Sequence, residues 1–401
     1  MNENSQAIIL LSARFGDKKS SGANPLTPTE YGRLSAWLHE HNYEPRALLR
    51  KPGEVLADLP ELGKKITRER ILALLNRGLA MGTALEKWQG AGLWILTRAD
   101  SDYPKRLKQH LKFSAPAVLF GAGDKRLLNA GGLAIVGSRD ITDPDKIFAK
   151  NIATQAAHEG LNIVSGGARG ADRTAMQSAL EDGGTAVGVL ASDLLKTALS
   201  STWRNYIKRK QLCLITSYFP EAGFNPGNAM GRNKYIYCLS DFALVVQSAK
   251  GSGGTWAGAT ENLKKQWVKL FVQGESSSLG LEELAKRGAN LLTVRQDFLP
   301  DEEWLRQALE PTEISLPDPE PSPSMDSFYA LFLNKGKEAL AGKEQVSLSD
   351  LKTQFPDLVQ KQITEWLDRA VSDGHLQRHG RARIYSLREK ATRQLTLIDD
   401  S

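Results

Sequence analysis

The chain has only two cysteines in 401 residues, Cys213 and Cys238, both inside apolar segments. Two such residues give neither a zinc-ligand spacing nor a disulfide framework, which excludes zinc-ribbon and disulfide-stapled scaffolds. Long apolar runs are also missing. Ala7-Ile-Ile-Leu-Leu11 is too short for a signal-peptide core followed by a cleavage site, and no run reaches the length of a membrane span. No Gly-x-Gly-x-x-Gly with a later ribose-binding acid stands in the sequence, so the usual oxidoreductase signature is lacking. What is present is ordinary globular composition, 41% hydrophobic and 24% charged, with a net charge of +6 that leans toward polyanionic partners. The length calls for two or three domains. These features predict a cytoplasmic protein with no membrane association, no cofactor and no metal.

Residues 1–125 read as a mostly helical module with an entry segment. Tyr31, Leu34, Trp37 and Leu38 have helical spacing after Pro28 and Thr29. Around Gly63, two helical stretches flank a Gly turn followed by Lys64, Lys65, Arg68 and Arg70. This is the style of helix-hairpin-helix and SAM-like modules that touch phosphate backbones, and equally of a plain helical bundle with solvated basic residues.

Residues 126–310 alternate short apolar runs with helical patterns. The runs are Leu133–Val136, Leu161–Val164, Thr185–Leu190, Leu212–Thr216, Phe242–Val246, Val268–Val272 and Asn290–Val294. Between them, Asp145–Glu159, Asp172–Glu181, Ala257–Gln266 and Leu281–Lys286 have helical period. The expected fold class is α/β, a Rossmann-like doubly wound, mostly parallel sheet, whose ligand site lies beyond the carboxyl ends of the strands. Residues 311–327, with five prolines, predict an extended linker. Residues 328–390 read as three helices and a terminal hairpin, a winged-helix domain with Arg378, Arg381 and Arg383 on the wing. Such a domain suits duplex DNA or protein contacts alike. Residues 391–401 form a tail.

Four expected strand ends carry the chemistry. The first is Gly137-Ser138-Arg139. The second is Ser165-Gly166-Gly167-Ala-Arg169-Gly170-Ala-Asp172, where an apolar run ends in glycines before a helix; such a turn exposes backbone N–H groups to phosphate. The third is Gly231-Arg232-Asn233-Lys234, read as the opening of a helix. The fourth is Gly251-Ser252-Gly253-Gly254-Thr255, with Glu261 on the helix that follows. Three of the four supply cations, and all supply small residues, so together they predict an electropositive pocket for phosphate oxygens. Each has a plainer reading: Asp172 as a helix cap, Glu261 as a partner of Lys264 or Lys265, and Arg139 as an ordinary exposed arginine. A further segment, Trp203-Arg204-Asn-Tyr-Ile-Lys208-Arg209-Lys210, mixes aromatic and basic residues without an acid. It reads either as an accessory single-strand contact or as an exposed amphipathic helix.

These four stretches, with Leu96-Thr-Arg-Ala-Asp-Ser-Asp-Tyr-Pro104 upstream, resemble the DprA (Smf) family, the DNA-processing proteins of bacterial transformation. The resemblance covers roughly residues 20–295. It implies a Rossmann-like homodimer that binds single-stranded DNA in a basic pocket, protects it, and loads a RecA-like recombinase without catalytic chemistry. Arg139 and Lys234 would then be prime DNA contacts, the glycine turns would hold phosphates, and Asn233 would orient the site. The chain departs from the family pattern in several places. Ala229-Met230 stand where the family has Phe-Pro, so a stacking aromatic is lost or supplied elsewhere. Lys234 replaces an arginine and loses planar bidentate contact. Ala191-Ser192-Asp193-Leu194, Ser217-Tyr218 and Trp256 also differ. Such departures fit a divergent member acting in recombination or defence on a mobile element. The rival reading is a nucleotide sensor or nucleotide-cleaving enzyme of the lysine-decarboxylase-like Rossmann group. That group's Gly-Gly-x-Gly-Thr-x-x-Glu spacing is not met, because Gly258 stands where its glutamate would.

Overall fold

The computed structural model describes residues 1–16, 23–60, 65–274, 276, 278–294, 303–310, 325–340, 345–355, 358, 360–380 and 384–387. The chain forms two compact units, Met1–Pro311 and Thr312–Ser401. The first contains the expected α/β sheet.

Nine strands build that sheet: β1 Trp94–Thr97, β2 Val118–Gly123, β3 Leu133–Val136, β4 Ile163–Ser165, β5 Ala186–Val189, β6 Leu212–Thr216, β7 Phe242–Val245, β8 Lys269–Gln273 and β9 Asn290–Leu292. Their order is β1-β2-β6-β5-β4-β3-β7-β8-β9. From β6 to β9 every pairing is parallel; β1–β2 and β2–β6 are antiparallel. The chain winds outward from β3 through β4 and β5 to β6, then returns to the other side of β3 as β7. The β3–β7 seam is therefore the topological switch point, where open α/β sheets place their ligands.

Each of the seven expected apolar runs contains or overlaps a strand, because parallel strands covered on both faces read as continuous hydrophobic stretches. Alternation sends Leu133 and Ile135 to one face and Ala134 and Val136 to the other, into two separate apolar clusters. The first face is covered by the helices Asp143–His158 and Ala171–Glu181 and by the N-terminal helices. The second is covered by Lys105–Leu111, Pro226–Cys238, Gly253–Lys265 and Leu279–Lys286. The Asp143–His158 helix starts on a capping box, in which Thr142 Oγ1 accepts from Asp145 N at 3.3 Å and Asp145 Oδ2 accepts from Thr142 N at 3.1 Å.

Two strands lie inside the stretch read from sequence as helical. Trp94 of β1 faces Gly121 of β2, and its ring occupies the space a Cβ at Gly121 would need. The N-terminal helices pack onto this edge of the sheet, with Trp88 edge-on to Phe120 at 5.0 Å between ring centroids. Arg70 is not a solvated basic residue. It is held by Glu30 at 3.1 Å and by the carbonyls of Asn24 and Pro25, both at 3.0 Å. Burial pushes the Glu30 carboxyl up, but hydrogen bonds from Arg70 and Thr27 outweigh it and leave the carboxyl below its usual value. Lys64 lies outside the described residues. Both cysteines are buried and free.

In the second unit, helices Met325–Leu340, Leu348–Gln354 and Gln360–Ser372 accompany β10 Val346–Ser347, β11 Leu376–His379 and β12 Ile384–Leu387. The strands form a three-stranded antiparallel sheet in the order β10-β12-β11. Phe332 packs against Phe355 and Trp366. Arg378 lies 3.7 Å from Asp368 of the preceding helix. Arg381 and Arg383, and residues 311–324 of the expected linker, lie outside the described residues. Among the described residues, no helix is long and apolar enough to cross a membrane.

Candidate nucleic-acid interface

The loops after β3, β4 and β7 meet the Pro226–Cys238 helix at the carboxyl edge of the sheet. Gly170 makes the meeting of the first two loops possible. Its φ of +88° suits glycine, and a Cβ there would run into the Ser138 carbonyl. The Asp172 carboxylate then ties the loops together by accepting backbone N–H bonds from Ala168, Gly137 and Gly166, the last at 3.1 Å. Thr255 Oγ1 donates to the Gly137 carbonyl at 3.0 Å, and Asn233 Nδ2 donates to the Gly254 carbonyl at 2.9 Å. These bonds hold the helix and three loops in one arrangement before any ligand arrives.

Two adjoining clefts result. The first, of about 450 Å³, is lined by the Gly137–Arg139 turn, by Asn233, and by Ser252–Thr255 at the start of the Gly253–Lys265 helix. The second, of about 380 Å³, is lined by Gly166, Gly167, Arg169 and Arg173, with Leu190 and Trp203 among its apolar walls. Arg139, Phe224 and Arg232 border both clefts. Arg139 is exposed, and its guanidinium carbon sits 4.8 Å from the centroid of the Phe224 ring. Phe224 is itself 56% exposed. A cation resting on an accessible aromatic face is the pairing that single strands use, charge for the phosphate and a ring for the base.

Arg232 is 6% exposed and stands 4.0 Å from the Asp172 carboxylate. Burial lowers the guanidinium's pKa and raises that of the carboxyl; the attraction between them works the other way and is outweighed. Arg169 forms an exposed ion pair with Asp140 at 2.6 Å.

Several sequence expectations find different places. Gly231–Lys234 does not open its helix: Asn225 caps it, accepting from Asn228 N at 3.1 Å, and Pro226 begins it. Arg232 and Asn233 thus lie in its second turn and reach the clefts as side chains. Lys234 is not among the described residues that line either cleft; its ammonium lies 5.4 Å from the Tyr235 ring. Glu261 is exposed in the third turn of its helix, about 12 Å along the axis from Gly253, and is likewise outside the described cleft lining. The Ser165 hydroxyl is fully buried and donates to Ile135 O at 2.5 Å, a strand-to-strand tie. Gly251 keeps a φ of +74° in the loop before the helix. Trp203 is 4% exposed and packs in the core, so it offers no free stacking face. Arg204 is exposed, and Lys208, Arg209 and Lys210 are exposed just before β6, at the opposite edge of the sheet.

The sequence reading missed Arg173 and Phe224. Arg173 stands one residue past Asp172 in the first turn of its helix, outside the glycine-rich stretch that marks the site in the sequence. Phe224 is an isolated aromatic in Gly223-Phe224-Asn225-Pro226, and its exposed ring lines both clefts close to Ala229.

Comparison with known proteins bears on the family and the fold. The family model described as DNA recombination-mediator protein A matches residues 94–302, just over half of the chain. A putative DNA processing protein DprA of Mycobacterium tuberculosis is 31% identical over 198 residues, 46% of this chain and 49% of that protein. Protein Smf of Escherichia coli is 28% identical over 241 residues, 56% of this chain and 64% of its own length. The chain thus spans about half the length of the first of these curated relatives and somewhat more of the second. Among solved structures, DNA processing protein A from Streptococcus pneumoniae superposes with a TM-score of 0.58 at 21% identity, covering 76% of this chain and 98% of that one, which establishes a shared fold. The chain belongs to the DNA recombination-mediator protein A family.

Proposed function

We propose that this protein is a cytoplasmic, non-catalytic recombination mediator that binds single-stranded DNA at the carboxyl edge of its sheet, protects it, and delivers it to a RecA-like recombinase as a homodimer. The observation that carries this reading is the pairing of Arg139 with the exposed Phe224 ring at the border of both clefts. Around it, Arg169, Arg173 and Arg232 supply cations, and Gly253–Thr255 supply helix-start amides, all able to hold phosphates without reading sequence. The recombinase, the homodimer and the mobile-element or defence setting rest on the resemblance to DprA proteins. In the second unit, three helices and a terminal hairpin support a winged-helix assignment. The nucleotide-cleaving alternative assigns that chemistry to Glu261, which stands outside the described lining; the acid that does line the first cleft, Asp172, is occupied by three backbone N–H groups.

Binding dominated by phosphate contacts is sequence tolerant and steeply salt dependent. Fluorescence anisotropy with single-stranded and duplex oligonucleotides over a salt series tests it. The expected result is preference for the single strand, with Arg139→Ala weakening every sequence alike and flattening the log–log salt slope by about 0.7. An unchanged slope removes Arg139 from the interface, and equal affinity for duplex overturns the single-strand reading.

A further inference from the structure

Arg232 is 6% exposed, yet its Nε and Nη1 have no hydrogen-bond partner among the described residues. Its Nη2 is 4.0 Å from Asp172, beyond hydrogen-bond reach, and the Asp172 oxygens already serve three backbone N–H groups. Buried donors are nearly always satisfied, so a guanidinium kept dry with two idle nitrogens calls for an acceptor from outside. The backbone makes room for it: a Cβ at Gly166 would overlap the Arg232 guanidinium, so only glycine lets that plane lie against the loop.

The charge around this group is also out of balance. Arg139, Arg169, Arg173 and Arg232 line the second cleft. Two carboxylates oppose them, Asp140 on Arg169 and Asp172 near Arg232. Arg139 and Arg173 have no acidic partner among the described residues, which leaves a surplus of two positive charges. An internal phosphodiester brings one negative charge. A phosphomonoester brings about 1.5 to 2 at neutral pH, and three strong acceptor oxygens. The apolar walls, Met176, Leu190, Leu214 and Trp203, supply no competing charge.

We propose that the second cleft receives a terminal phosphomonoester of a nucleic-acid strand, with Arg232 as its buried anchor and Arg173 as its exposed clamp. This rests on the single-strand reading above. A free mononucleotide carries the same monoester, and the experiment separates the two sources.

The test uses the full chain and one oligonucleotide sequence in competition anisotropy, carrying at its 5′ end a hydroxyl, a phosphate, or a phosphate blocked as its methyl ester. A second set carries the same groups at the 3′ end. Adenosine 5′-monophosphate is titrated separately by calorimetry. The expected result is about tenfold tighter binding of the phosphate-ended strand at one end, the scale of one added charge-assisted contact. The methyl ester should fall back toward the hydroxyl, since it keeps the oxygens and loses a charge. Arg173→Ala should collapse the phosphate-to-hydroxyl ratio toward one, and Arg173→Lys should restore part of it. Arg173 is exposed, so these variants do not depend on rebuilding the buried anchor. Equal binding of all ends, with the hydroxyl strand still bound, overturns the terminal-phosphate site and leaves the single-strand reading standing. Binding of adenosine 5′-monophosphate with no strand bound at all overturns both, and identifies the cleft as a mononucleotide site.

Discussion

Two groups of cations lie at opposite edges of the same sheet, and they are built differently. At the carboxyl edge, Arg139, Arg169, Arg173 and Arg232 surround clefts whose loops are bonded together through Asp172, Asn233 and Thr255. At the amino edge, Lys208, Arg209 and Lys210 are exposed side chains preceding β6. Close by, the Asp124 carboxyl is held below its usual value, chiefly by Arg126 and to a smaller extent by Lys210. The two edges are about 15 Å apart along a five-residue strand. The first group has shape, an aromatic and a buried member, whereas the second has only charge. In sequence, the first group stands mostly on glycine-rich strand ends and the second in an aromatic and basic segment; burial and hydrogen bonding sharpen that contrast.

The strongest way to break this contrast is to remove the tie beneath the first group. Asp172→Ala strands three backbone N–H groups and leaves Arg232 buried without a counter-charge, a loss of about 3–5 kcal/mol in stability by urea denaturation. A loss under about 1 kcal/mol shows that the loops hold themselves. Next comes Phe224→Ala. Its ring is 56% exposed, so stability should stay within about 0.5 kcal/mol while single-strand affinity drops about tenfold to a hundredfold. Unchanged affinity removes the aromatic from the interface.

A smaller effect follows from the protonation of Asp172, whose pKa burial raises above its ordinary 3.8. Above about 3.8 the unfolded chain releases this proton while the folded chain still holds it. In the window from there to the raised value the folded state binds more protons, so this residue's contribution to stability falls as pH rises. Asp172→Asn should flatten that limb in urea midpoints measured from pH 4 to 7, and a limb that stays as steep assigns it to other groups. Least of all, Lys208→Ala, Arg209→Ala and Lys210→Ala together should change affinity by less than about twofold at physiological salt, because exposed charges without a shaped site are screened. A larger loss makes the amino edge part of the DNA path.

Much of this architecture was legible because the seven strands from β3 onward are apolar runs punctuated by turn residues. The pair β1–β2 was not. Gly121 and Gly123 cut the apolar run of β2 short inside a stretch of otherwise helical pattern, and it is the Trp94 ring of β1 that fills the space beside Gly121. The four motif stretches come together at the carboxyl edge of the sheet, yet which side chains line the clefts depends on helix phase. Arg232 and Asn233 face the clefts while Lys234, one residue on, is turned some 100° away around the helix. Asn225-Pro226 set that phase five residues before the motif. Likewise, Trp203 and the basic residues after it read as one patch. In space, the tryptophan goes to the core and Lys208–Lys210 to the far edge, because the intervening chain descends the length of the sheet.

The switch point also has a consequence for synthesis on the ribosome. β3 ends at Val136, and the neighbour that completes its second edge, β7, begins only at Phe242. At bacterial and eukaryotic translation speeds, roughly 5 to 20 s separate the two. Throughout that interval the nascent sheet presents an unpaired, wholly apolar strand to the crowded cell, an open template for mispairing. The seam that shapes the ligand clefts is therefore the last central seam to close, and a chain interrupted before residue 242 carries both a missing site and an exposed edge.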